Sequence, residues 1–230
     1  MTRHLALLLP VIVCLCASCQ GPSAPEEKAD SVEKAVQAIE GLGGLVTRDE
    51  TLPGRPVVQV AFGCNVTDSD LKVLKELKDL RFLWLNGTQI TGAGLQDLKE
   101  LENLKELSLV GTQITDVGLK YLKDLRSLQI LDLGACRITS AGLKDLKELR
   151  NLRELWLGGT QITDVGLKDL QELKGLQELY LNGTQITDAG LKDLQELKGL
   201  QVLILYDTKI TDAGLKDLKQ ALPKTQIWGP

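Results

Sequence analysis

The chain has 230 residues, 43% hydrophobic and 25% charged but only 3% aromatic, so aliphatic side chains and not rings must fill its interior. Its 27 Lys and Arg face 31 Asp and Glu, a net charge of -4 without a basic stripe. This excludes nucleic acid as the expected partner, because phosphate binding needs a positive surface.

The chain opens on a polar start, Arg3 and His4, followed by an apolar run from Leu5 to Cys16 that is too short to span a bilayer permanently. Small residues Ala17 and Ser18 then precede Cys19, and residues 1–18 read as a signal peptide. Cys16-Ala17-Ser18-Cys19 also resembles a bacterial lipoprotein signal, which implies lipidation of Cys19 and a place in the cell envelope, lipid-anchored; plain secretion is the alternative. Contact with a membrane is thus expected only through that anchor. Residues 19–30, rich in Pro, Ala, Ser and Glu, read as a linker holding the rest away from the membrane.

Residues 31–56 read as an N-terminal cap. Val32, Ala35, Val36 and Ile39 share one helical face, and Gly41 to Gly44 stop that helix. A phosphate loop is a poorer reading of those glycines, which lack a preceding strand. Leu45 to Thr47 suggest a short extended piece, and Pro53-Gly54-Arg55-Pro56 a loop.

From residue 57 to 230 one unit dominates. Its anchor recurs every 24 residues as Thr88-Gln89-Ile90-Thr91, Thr112 to Thr115, Cys136-Arg137-Ile138-Thr139, Thr160 to Thr163, Thr184 to Thr187 and Thr208-Lys209-Ile210-Thr211. Cys64-Asn65-Val66-Thr67 is a degenerate seventh copy after a first strand, Val57 to Phe62. If Val60 and Phe62 point inward there, the strand-to-anchor spacing is one residue short. In Leu155-Trp156-Leu157 the alternation has the period of two of a half-buried strand, with the leucines in and the tryptophan out. Gly158-Gly159 or Asn182-Gly183 then turn the chain, and the hydroxyl of Thr160 or Thr184 can satisfy backbone groups inside the bend. Thr163 and Asp164 present oxygens to the free N–H groups of a return helix whose Leu167, Leu170 and Leu173 face inward. The interspersed Lys168, Asp169, Gln171 and Glu172 stay in water. At the far end Leu222-Pro223 breaks the last helix, and Gln226 to Trp228 suggest a closing strand.

The frame LxxLxLxxTxI, kept in phase through six copies, resembles the leucine-rich repeat family, with Thr or Cys where many members carry Asn or Cys. The resemblance covers residues 57 to 228. It implies an α/β leucine-rich repeat solenoid, a curved parallel sheet with helices on the convex side, in which stacking supplies the core that one unit lacks.

Catalysis finds little footing. The only histidine, His4, lies in the signal segment, which leaves the rest without an imidazole to activate a nucleophile or ligate a metal. Asp169 and Glu172 recur as a solvating pattern and not as an acid/base pair, so no enzyme, cofactor or metal is expected. Cys64 and Cys136 occupy one repeat position three units apart, ~14 Å at the spacing of strands, beyond a disulfide. Both are expected as buried thiols. Asn65-Val66-Thr67, Asn86-Gly87-Thr88 and Asn182-Gly183-Thr184 match the glycosylation triplet but read as turns.

The outward strand positions vary while the scaffold does not. They gather Phe82, Trp84, Trp156, Tyr180 and Tyr206, together with Trp228, and the acids Glu106, Asp132, Glu154 and Glu178. Exposed rings give contact area at low entropic cost, and acids beside them suit a basic, partly apolar partner. In leucine-rich repeat proteins the concave sheet is the usual ligand surface, so the resemblance implies a non-catalytic module that binds a protein or peptide there. Two other readings stay open: stacking of sugar rings on Trp84, Trp156 and Tyr180, and a purely structural envelope component.

Overall fold

The computed structural model describes residues 24–229, so the expected signal peptide and Cys19 lie outside the described residues. An amino-terminal helix, Ala24–Gly41, buries Ala35, Val36 and Ile39 against the first strands. It begins inside the stretch 19–30 that was expected as a linker. Pro25 falls in its first turn, where a missing backbone N–H forfeits no helical hydrogen bond, so the composition that suggested a tether does not bar a helix.

Nine strands follow in one sheet whose spatial order is the chain order: β1 Leu45–Arg48, β2 Val57–Ala61, β3 Phe82–Trp84, β4 Glu106–Ser108, β5 Ile130–Asp132, β6 Glu154–Trp156, β7 Glu178–Tyr180, β8 Val202–Ile204 and β9 Gln226–Trp228. β1 runs antiparallel to β2 and caps the sheet, and every later pair is parallel. The fold is the α/β leucine-rich repeat solenoid. Each of the three-residue strands β3 to β9 offers its central residue inward, and Leu83, Leu107, Leu131, Leu155, Leu179 and Leu203 stack in register, all fully buried.

The return segments differ from the helices the leucine stripe predicted. Most are 3-10 helix, such as Asp68–Glu76, Ser140–Leu146 and Lys168–Glu172, with single α-turns such as Asp164–Leu167. Leu167, Leu170 and Leu173 recur every three residues and are all buried. A helix of 3.0 residues per turn keeps that spacing on one face, whereas 3.6 per turn would rotate it away. The final return is the informative exception. Leu215, Leu218 and Leu222 mix spacings of three and four, and Asp212–Ala221 is a ten-residue α-helix.

Successive copies are also buttoned together by groups read above as local caps. Asp164 Oδ1 accepts from Thr187 N at 2.8 Å and its Oδ2 from Thr187 Oγ1 at 2.7 Å, one copy further on. Asp68 holds Thr91, Asp116 holds Thr139 and Asp188 holds Thr211 in the same way, while Ser140 Oγ accepts from Thr163 N at 3.0 Å. Local capping falls instead to threonine: Thr187 Oγ1 accepts from Ala189 N and Thr139 Oγ1 from Ala141 N. The clasp needs a glycine opposite it, because a Cβ on Gly190 would lie 2.5 Å from Asp164 Oδ1.

Anchor threonines Thr88, Thr112, Thr160 and Thr184 are buried and satisfy the bend as expected, with Thr160 Oγ1 donating to Leu157 O at 2.5 Å and Thr184 Oγ1 to Leu181 O at 2.6 Å, and they form a column. Cys136 joins it, its thiol donating to Leu109 O at 3.1 Å in the preceding copy, and burial pushes its pKa up. Cys64 does not. It is exposed, because the first copy is one residue short between Phe62 and Val66, and the omitted position is the one that points inward.

Candidate functional site

The site is built from the residues that flank the buried leucines. In β3 to β8 an inward leucine sits between two outward neighbours, which are half-buried except for the buried Ser108. Parallel register turns those neighbours into two rows across the concave face. One row runs Gln59, Phe82, Glu106, Ile130, Glu154, Glu178, Val202, Gln226; the other runs Ala61, Trp84, Ser108, Asp132, Trp156, Tyr180, Ile204, Trp228.

Sheet curvature brings the tips of these side chains together. Backbones of adjacent strands stand ~4.8 Å apart, yet the Trp156 and Tyr180 rings stack with centroids 3.5 Å apart and planes 7° from parallel. Rings that face each other along the strand-to-strand direction stand upright on the sheet. They offer edges to the concavity, and Trp156 keeps one uncovered face, on the side of β5. Tyr180 Oη donates to Glu178 Oε2 at 2.6 Å. Burial and the nearby carboxylates of Glu178 and Glu154 push the phenol up to about 12.

Two strands away the row becomes small. Ser108 and Asp132 separate Trp84 from Trp156 and leave a hollow of about 240 Å³ lined by both indoles, Glu106, Ile130, Asp132 and Glu154. Its walls are fixed by hydrogen bonds: Trp84 Nε1 donates to Glu106 Oε1 at 2.7 Å, Ser108 Oγ to Asn86 Oδ1 at 2.6 Å, and Gly134 N to Asp132 Oδ1 at 2.9 Å. Burial raises the pKa of Asp132, and Glu106 adds repulsion against the opposing bond from Gly134. Glu154 is raised too, by burial first and then by Glu178 and Glu106. Among the described residues, the ion pairs lie elsewhere, around the amino-terminal helix and β1, on the first return segment and on the loops between copies, and none of them involves these acids.

The structure therefore unites Trp84, Glu106, Asp132, Glu154 and Trp156 around one hollow and places Glu178 and Tyr180 on its β7 flank. Phe82 lies in the neighbouring row on β3, and Tyr206, 45% exposed, stands after β8, two residues beyond the Ile204 that pairs with the exposed Trp228. Ser108, Asn86 and Ile130 read from the sequence as outward positions but not as site residues, since their signal is small size or aliphatic character between bulky neighbours. Among the described residues no group of His, Cys, Asp or Glu is placed to hold a metal ion, and no helix is long and apolar enough to cross a membrane.

Family models for leucine rich repeats match residues 102–162 and, as two copies, residues 150–198. No significant match is found among curated protein sequences. The fold is similar to that of internalin C2 from Listeria monocytogenes, at 23% identity over 88% of this chain and 92% of that one, with a TM-score of 0.58. It is also similar to a leucine-rich repeat protein from Leptospira interrogans, at 27% identity, 68% coverage and a TM-score of 0.51, although the match spans only 44% of that protein. The structure of PEPR1–AtPEP1 matches at 19% identity over 79% of this chain and 25% of that one, with a TM-score of 0.52.

Proposed function

We propose that the protein is a non-catalytic recognition module whose concave sheet binds an extended segment of a partner protein or peptide. The observation that carries this reading is the contrast between an invariant leucine scaffold and outward rows that concentrate rings and uncompensated acids on one face. Upright, half-buried aromatics give a partner large area with few rotors to freeze, the signature of binding hot spots. The repeat fold is widely used for protein recognition, and PEPR1, whose structure is described together with AtPEP1, has the same architecture. Stacking of sugar is less well served, because Tyr180 covers one face of Trp156 and the other looks across the acid-lined hollow, so the rings do not form the row of open faces that a run of pyranoses needs.

The test is selection of random displayed dodecapeptides on the immobilised protein, followed by titration of synthetic winners against wild type and the W156A/Y180A double variant. Saturable binding that the double variant loses supports the reading. Binding that survives it, or binding of soluble glycans alone, overturns the reading.

The same proposal extends to the amino terminus: residues 1–18 act as an export signal, Cys19 accepts lipid, the cap spans residues 31–56 and the repeats residues 57–230. Mass spectrometry of the membrane fraction checks it. An unmodified chain that retains residues 1–18 refutes it.

A further inference from the structure

We propose that the hollow between Trp84 and Trp156 seats one arginine side chain of the bound segment, its guanidinium flat against the uncovered face of Trp156 and its N–H groups on Asp132 and Glu154. This rests on the concave-face reading and names the chemistry that the face selects.

The argument starts from the cavity. It exists because Ser108 and Asp132 are short where their row neighbours are rings, so the indoles stand as end walls with an open floor. The Trp156 wall is held upright by the Tyr180 stack, which covers its far face and leaves the near one to meet a ligand. An indole face attracts a cation through its quadrupole, and a planar guanidinium adds stacking that a tetrahedral ammonium lacks.

The floor fits the rest of such a side chain. Ile130 lies between Glu106 and Glu154 in one row, which puts an aliphatic surface under the stem and carboxylates ~5 Å to either side at strand spacing. Asp132 sits two residues along the same strand, so three acids ring one apolar patch. A carboxylate offers two oxygens to the fork of N–H donors that arginine carries. Burial, with added repulsion from Glu106 on both groups and from Glu178 on Glu154, already raises the pKa of Asp132 and Glu154, so an incoming cation removes an existing penalty as well as adding contacts.

Neutral or acidic ligands meet the opposite balance. A neutral side chain would leave those acids buried without a counter-charge, and an acidic one would add repulsion. The hollow therefore discriminates by charge and by planarity.

Peptides from the display selection decide the matter. Each arginine of a concave-binding peptide is replaced in turn by citrulline, which keeps the shape and removes the charge, and by lysine; the parent is also titrated against D132N/E154Q. One position is expected at which citrulline weakens binding at least tenfold and lysine less, with D132N/E154Q reproducing the citrulline loss while its thermal transition stays in place. Winners that lose binding to W156A/Y180A yet lack arginine, or tolerate citrulline everywhere, overturn the seat and leave the concave face standing. Equal binding by the lysine peptide overturns the planar stack. Winners indifferent to W156A/Y180A overturn the concave reading and the seat with it.

Discussion

Replacing Asp164 by Ala removes both hydrogen bonds that tie one copy to Thr187 of the next, and the structure sets the size of the loss. Bonds to a charged acceptor contribute ~1.5 to 3 kcal/mol each when dry, but Asp164 and Thr187 are half-buried and water replaces part of the interaction. The expected cost of D164A is therefore about 1 to 2 kcal/mol. For a chain of this length that corresponds to a fall of ~2 to 8 °C in the midpoint of thermal unfolding, read by far-UV circular dichroism. Gly190 gives an independent handle on the same clasp, because an Ala methyl there would lie 2.5 Å from Asp164 Oδ1 and evict the carboxylate. G190A alone should thus destabilise, yet in the D164A background the obstructing oxygen is gone and the substitution should cost less by ~1 kcal/mol. Additive effects of the two changes, or a D164A midpoint within a degree of wild type, would refute the clasp as a source of cohesion between copies.

Four further outcomes follow from the packing, the charges and the thiols. L155A should destabilise by ~2 to 5 kcal/mol in chemical denaturation, as a fully buried leucine in a close-packed row, whereas W156A should move the thermal midpoint by only a few degrees. For Asp132 the folded pKa is raised, so its stabilising contribution is complete below the unfolded value of 3.8 and vanishes as pH rises through the folded value. D132N should therefore unfold at the same temperature as wild type or higher near pH 7, with the gap closing as pH falls below the carboxylate range; a variant less stable at pH 7 contradicts this. Asp70 and Asp188 behave oppositely, since hydrogen bonds from Thr67 and Thr211 lower them, and their contribution should fade as pH drops through the depressed folded values. Iodoacetamide on the native protein should alkylate Cys64 quickly and Cys136 only after unfolding, as peptide mapping would show.

The solenoid was legible because its signals are local and periodic. Leucine offsets alternate at two within a strand and recur at three in the returns, and each spacing can be read within a few residues of Leu155 or Leu167. The three-residue spacing even carried the 3-10 geometry, although it reads as an ordinary helical stripe until Leu215, Leu218 and Leu222 supply the contrast. The clasps were not legible, since every copy but the one at Thr91-Gly92 places an acceptor directly after its anchor Thr, and nothing local says that Asp164 reaches forward to Thr187 and not back to its own turn. Cys64 was misplaced for a related reason: the shortened first copy was visible, but which residue leaves the interior depends on the register of β2 against β3.

The candidate site divides in the same way. Period two placed Trp84, Trp156, Tyr180 and the acids outward on the sheet. The hollow itself arises from the absence of bulk at Ser108 and Asp132 combined with curvature, and the Trp156–Tyr180 stack from side-chain convergence. Neither is encoded in any one repeat. They emerge only when unlike copies stand side by side.

The most direct test exchanges Phe82, outward on β3 and outside the hollow, or Val165, 70% exposed at the start of a return segment, for the photoreactive residue benzoylphenylalanine and illuminates each variant with a selected peptide bound. The account predicts covalent capture of peptide from position 82 and none from position 165. Capture from 165 with none from 82 would contradict it.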